Sequence, residues 1–282
     1  PELLLLDEIT SALDPELVLR PLPAPLARVA FQNKRVVYDA LFKAVSETLM
    51  TIGADPKHLG AKLGLLGVLH TWTRTLTFHP HVHFLVTAGG LSDDGQRWID
   101  PKHRRFLVPC RVLSVVFRGL VKRGLKRAGL LAKIEARFWR KPWVVHAQPA
   151  GRGDKALDYL ARYVLRIAIT NNRLERFEHD QVTFRCRDNR TQQLQRCVLP
   201  LSEFLRRFLL HVLPARFTKV RAYGLFSSRA AGLRDKVRGL ISNGEPAMPT
   251  TSPPLDREDQ PATTTPGPAP ADCEDRCPSC KH

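Results

Sequence analysis

Between residues 33 and 242 the apolar positions follow two different periods. From Asn33 to Gly53, residues Val36, Val37, Leu41, Phe42, Val45 and Leu49 fall on one side of a 3.6-residue spiral, which predicts an amphipathic helix. Leu63–Thr71 and Val82–Thr87 are short, dense apolar runs and read as strands, with a turn at Ser92-Asp-Asp-Gly95. Pro109–Ile134 reads as a helix whose polar positions are strongly basic, and Trp143–Ala147 as a strand. Across Asp154–Ile169, Ala156, Leu157, Leu160, Ala161, Val164, Leu165 and Ala168 repeat at helical spacing. Gln181–Arg187 and Gln193–Leu199 predict a hairpin, and Glu203–Leu213 and Arg229–Ile241 predict two more helices. The mixed order predicts an α+β fold, and a stretch of about 220 residues is long enough to bury one core.

The pattern stops at about Asn243. Residues 243–282 are rich in Pro, Thr and Ala and nearly free of large apolar side chains. Such a composition cannot offset its ordering entropy, so a disordered tail is expected. It ends in Cys277-Pro-Ser-Cys280, a zinc-knuckle spacing that Cys273 and His282 would complete to four ligands, so Zn²⁺ is a candidate there. Cys110, Cys186 and Cys197 are scattered in apolar settings and are expected to be reduced core thiols. No signal peptide and no membrane-spanning apolar run is present, which predicts a cytoplasmic, nucleoid-associated protein without a membrane partner.

Charge narrows the function. Lys and Arg total 44 against 27 Asp and Glu, a net +17. Residues 1–18 carry five acids and no base, and residues 243–282 seven acids against three bases, which leaves residues 19–242 at +26. A body so basic suits a polyanion, since phosphate contacts supply most nucleic-acid affinity.

The candidate chemistry lies in two places. In His81-Val82-His83 the two imidazoles share one face of a strand while Val82 takes the other. Neutral imidazoles so placed can hold one divalent cation. In Tyr159-Leu-Ala-Arg-Tyr163 two of the chain's four tyrosines stand at i and i+4 on one helix face, beside Arg162 and Arg166. A metal site that polarises phosphate, together with phenols that attack it, is the equipment for cleaving a phosphodiester through a phosphotyrosine.

At these motifs the chain resembles the rolling-circle insertion-sequence transposases of the HUH, two-tyrosine class. The likeness runs from about Phe31 to Leu240. It includes Gln32-Asn-Lys-Arg-Val-Val-Tyr-Asp39, Ala54-Asp-Pro-Lys-His-Leu-Gly60, Val68-Leu-His-Thr-Trp72, His79-Pro-His-Val-His83, Gly89-Gly-Leu-Ser92, Tyr159–Arg166 and Arg206-Arg-Phe-Leu-Leu-His-Val-Leu-Pro214. The resemblance implies an HUH-endonuclease-like central antiparallel sheet flanked by helices, with the tyrosine helix beside the histidine pair. It implies metal-dependent cleavage and strand transfer on single-stranded DNA at element ends and target, through a 5′-phosphotyrosine on Tyr163 or Tyr159. Mg²⁺ or Mn²⁺ would sit on His81 and His83, with His70 and His79 as candidates for a third ligand, and Arg162 and Arg166 would contact DNA. The chain departs from the family pattern at Leu165, where a histidine is expected, and at Phe84, where a cysteine is expected. A replication initiator or relaxase would use the same chemistry. A non-catalytic DNA-binding remnant would keep the charge and lose the cleavage.

Residues 1–18, Pro-Glu-Leu-Leu-Leu-Leu-Asp-Glu-Ile-Thr-Ser-Ala-Leu-Asp-Pro-Glu-Leu-Val, resemble a different family, the ATP-binding-cassette ATPases, in which Asp7 and Glu8 would serve Mg²⁺ and water. No G-x-x-x-x-G-K-[ST] loop is present to cradle a nucleotide, so no nucleotide cofactor is expected. The domain reading is therefore a fusion scar at 1–18, an N-terminally truncated catalytic domain at 19–242 and a tail at 243–282. The truncation predicts a sheet short of one strand.

Overall fold

A computed structural model of the protein describes residues 13–19, 24–101, 110–140, 143, 145–148, 167–187 and 193–242. The segment holding Tyr159 and Tyr163, for which a helix was expected, residues 1–12 and the tail from 243 lie outside the described residues.

Two neighbouring strands carry the pattern on which the fold is built. β2 (Gly64–Trp72) and β3 (Phe78–Thr87) pair antiparallel, and both are buried along most of their length. On one face Leu65, Gly67 and Leu69 oppose Val86, Phe84 and Val82; on the other Leu66, Val68 and His70 oppose Leu85, His83 and His81. Gly67 is required by its partner, since a Cβ there would come within 2.6 Å of the Phe84 ring. The hairpin is the middle of a five-stranded antiparallel sheet of order β10-β2-β3-β1-β6, with β1 at Leu13–Leu19, β6 at Val145–Gln148 and β10 at Val220–Gly224.

Helices cover the apolar face. α1 (Ala24–Gln32) and α2 (Lys34–Ala54) follow one another across Asn33, and α3 (Cys110–Arg127) packs along α2. Leu41, Phe42, Val45 and Leu49 of α2 and Leu113, Phe117, Val121 and Leu125 of α3 form one core with Leu65, Leu69, Val82, Phe84 and Val86. Each such side chain contributes about 1.5–3 kcal/mol on burial.

A smaller unit follows. β7 (Leu174–Glu178), β8 (Gln181–Arg187) and β9 (Leu194–Pro200) make a three-stranded antiparallel sheet that runs directly into α4 (Leu201–Leu210). Its core joins Val182, Phe184 and Cys186 to Leu76, the residue at the tip of the β2–β3 connection. Leu76 is fully buried at φ +61, a backbone conformation that side chains rarely adopt. β4 (Gly90–Leu91) and β5 (Trp98–Ile99) close a ribbon around the expected turn, and α5 (Ala231–Ser242) buries Val237 against Leu91 and Leu225.

The α+β pattern with antiparallel sheets is as expected, with differences at particular elements. The basic helix predicted to Ile134 stops at Arg127. Gly129 takes φ +70, and Leu130 and Gly129 donate back to the Leu125 and Lys126 carbonyls, a glycine-terminated end that satisfies the last turn. Leu13–Leu19, most of which reads from the sequence as part of the scar, forms a strand that pairs with β3 on one side and β6 on the other. Its ladder is irregular between Leu13 and Glu16, around Pro15, which has no N–H to give. β1 also crosses the 18/19 boundary read from the sequence.

Candidate metal centre

His70, His81 and His83 converge on the sheet face opposite the helical core. The strand periodicity that sends Leu69, Val82 and Phe84 into the helices sends these three the other way. His70 lies directly across the ladder from His81. One ligand nitrogen from each of the three lies within 4.8 Å of the others. His70 and His83 are buried and His81 half-buried, so the nitrogens are largely withdrawn from water yet reachable from one side.

Neighbouring groups hold the rings. The His70 ring stacks on Trp72, centroids 5.0 Å apart. His81 Nδ1 lies 2.7 Å from the His79 carbonyl oxygen. A carbonyl only accepts, so Nδ1–H donates and the lone pair of neutral His81 falls to Nε2, the usual arrangement of a metal-binding imidazole. The donor set suits a divalent transition ion, as three neutral imidazoles favour Mn²⁺ or Zn²⁺ over the oxygen-seeking Mg²⁺.

Among the sequence candidates, His70 joins the pair and His79 does not. His79 serves through its backbone, and burial first, then the charge of His81, push its imidazole down to about 3, so it stays neutral. Tyr159, Tyr163, Arg162, Arg166, Leu165, Cys273, Cys277, Cys280 and His282 lie outside the described residues, as do Asp7 and Glu8. Phe84, where a cysteine was expected, is fully buried between Phe42 and Tyr223 and fills the core.

Two residues at this end of the sheet were not singled out by sequence. His211, just beyond α4, bridges Thr71 and the Leu76 carbonyl at 3.2 and 3.1 Å. The carbonyl takes the Nε2–H, so Nδ1 accepts from the Thr71 hydroxyl. Lys219 places its ammonium 5.4 Å from the centroid of the Trp72 ring, and burial lowers its pKa. The only sequence signal for His211 is its place in the Arg206–Pro214 motif; Lys219 has none.

Residues 64–232 match the model of a family described as "Putative transposase", Y2_Tnp. That span holds all three histidines and both tyrosines. The chain belongs to this transposase family. Among curated relatives it is similar to "Putative transposase y4qJ" of Sinorhizobium fredii, 42% identical over 260 residues, covering 85% of this chain and 65% of that protein. It is also similar to the "Transposase for insertion sequence element IS801" of Pseudomonas savastanoi pv. phaseolicola, 30% identical over 225 residues, 75% of this chain and 54% of that one. The chain thus spans less than two thirds of the length of these relatives. No solved structure matches it. Among the described residues no helix is long and apolar enough to cross a membrane.

Proposed function

We propose that this member of the transposase family cleaves single-stranded DNA at the ends of an insertion element and transfers the strand through a 5′-phosphotyrosine, by the rolling-circle route of the HUH, two-tyrosine class. The observation that carries the reading is the cluster of three imidazoles on two adjacent strands, inside the segment that matches the family and that also contains Tyr159 and Tyr163. The chemistry that a bound Mn²⁺ or Mg²⁺ supplies there is neutralisation of charge on the scissile phosphate. His70, His81 and His83 would hold that ion, with Trp72 and the His79 carbonyl fixing two of the rings.

The phenol oxygen of Tyr163 or Tyr159 attacks phosphorus. A P–O bond forms to the tyrosine, the bond from phosphorus to the 3′ oxygen breaks, and the phenol proton ends on the released 3′ hydroxyl. The second tyrosine takes the next strand, and a free 3′ hydroxyl attacking a phosphotyrosine reverses the exchange. One phosphoester replaces another at each step, so no nucleotide cofactor is needed. Arg162 and Arg166 contact phosphate from the same segment.

The test is an SDS-resistant protein–DNA adduct on labelled single-stranded element ends with Mn²⁺. Loss of the adduct in His81→Ala and in the Tyr159→Phe/Tyr163→Phe double variant supports the reading. An adduct that survives in the double tyrosine variant overturns it.

A further inference from the structure

The proposed reaction makes no use of the most basic element in the chain. α3 and its extension run from Cys110 to Ile134 with no acidic residue. Its apolar side faces the core through Leu113, Phe117, Val121 and Leu125, with Val112, Val116 and Leu120 packed alongside. The outward side is Arg111, Val115, Arg118, Gly119, Lys122 and Lys126. Arg111, Lys122 and Lys126 are exposed, Arg118 is half-buried and Val115 is 60% exposed. Four cations therefore stand in one line at i, i+7, i+11 and i+15, over about 22 Å of helix.

We infer that this stripe is a docking surface for the phosphate backbone of duplex DNA, separate from the strand held at the histidines. The inference rests on the reading of the chain as a DNA-cleaving transposase. Three observations carry it. First, position: α3 packs on the cluster containing Val82 and Phe84, whereas His81 and His83, alternating with them, face the other way. DNA on the stripe and the strand at the histidines lie on opposite sides of the sheet. Second, composition: the outward positions of α3 itself carry no aromatic side chain, and the Trp139 ring, 5.9 Å from the Lys122 ammonium, is stacked on Trp143 and packed against the core, which favours a duplex over a single strand. A straight row of cations matches a regular, stiff polyanion. Third, relief: a Cβ at Gly119 would meet nothing within 4 Å, so the row has a notch at its middle where a backbone can approach closely.

The test is duplex binding without metal, measured against salt concentration. Arg111→Gln, Arg118→Gln, Lys122→Gln and Lys126→Gln are combined in one variant. Lys57→Gln, Arg216→Gln, Arg229→Gln and Lys236→Gln, exposed residues elsewhere, are combined in a second variant that removes the same charge. The stripe variant is expected to bind a roughly 30-base-pair duplex at least tenfold more weakly at about 0.1 M salt, and to flatten the slope of log K against log salt by about 3 to 4. Half-variants, Arg111→Gln/Lys126→Gln and Arg118→Gln/Lys122→Gln, should each give about half of that change, which guards against a folding defect in the fourfold variant. Adduct formation on a short single-stranded oligonucleotide should stay within about twofold of the parent. An unchanged slope, an equal loss in both fourfold variants, or a fall in adduct that parallels the duplex loss would each overturn the inference. If the parent chain forms no adduct, the proposed reaction fails while the slope comparison still decides the stripe.

Discussion

His70 and His81 are direct cross-strand partners on β2 and β3, with ring centroids 5.6 Å apart, and His83 brings its ring within 4.6 Å of His70. In an antiparallel ladder a directly opposed pair and the diagonal neighbour are the residues that touch, so three imidazoles meet here without any loop to position them.

This arrangement separates the two candidates for a third ligand. His70→Ala should weaken Mn²⁺ binding by at least tenfold in calorimetry, because a ligand is lost. His79→Ala should change it by less than about threefold, since only its carbonyl supports His81 and the backbone remains. Equal losses in the two variants would sink the assignment.

His211 gives stability a pH dependence. Burial, the largest cause, and the nearby charge of Lys34 lower its pKa, against smaller opposing effects of its hydrogen bonds to Leu76 and Thr71. In the unfolded chain the ring takes a proton near pH 6.5, while in the fold it takes one less readily. Its contribution is fully present above that pH and is lost as pH falls below it. Urea midpoints measured from pH 7 to pH 5 should fall less steeply for His211→Gln than for the parent, and parallel curves would refute the role.

The thiols should differ sharply in reactivity. Burial, the largest cause, then the hydrogen bond to Cys186, push the Cys197 thiol up to about 12, and the two sulfurs lie 2.8 Å apart. At pH 8 almost no Cys197 thiolate exists, so iodoacetamide followed by peptide mass analysis should label half-exposed Cys110 at least tenfold faster than Cys197. Comparable rates would show that the β8–β9 hairpin opens readily.

Leu76 combines strain with burial. Leu76→Ala removes buried methyl groups, at about 2–5 kcal/mol, and keeps the positive φ. Leu76→Gly loses the same contacts but relieves roughly 1 kcal/mol of backbone strain. Glycine should therefore be the milder substitution in denaturant unfolding, the reverse of the usual order at a buried site.

Sequence made legible those elements whose burial is one-sided or continuous. The α2 spiral, the β2 and β3 runs and the β8–β9 hairpin lie within a few residues of expectation, because their apolar spacing reflects a core that each one faces. β7 was missed because all five of its residues are exposed, and β10 because Val-Arg-Ala-Tyr-Gly is a half-buried sheet edge without a clean alternation. β1 was missed because residues 1–18 read as a scar by their resemblance to another family; its ladder is irregular beside Pro15. The pairing of His81 and His83 was readable from a period of two. The addition of His70 needed the register between strands, which no single segment contains.

The position of β1 also sets the order in which the molecule is able to form. Leu17 waits for Phe84 and then Ala147, about 65 and 130 residues later in synthesis, while β2 and β3 lie next to each other and pair at once. β1 can pair with β3 as soon as that strand emerges, but its other edge stays open until β6 is made. In that interval β1 exposes an unpaired edge, and the nascent chain is most open to aggregation or chaperone capture.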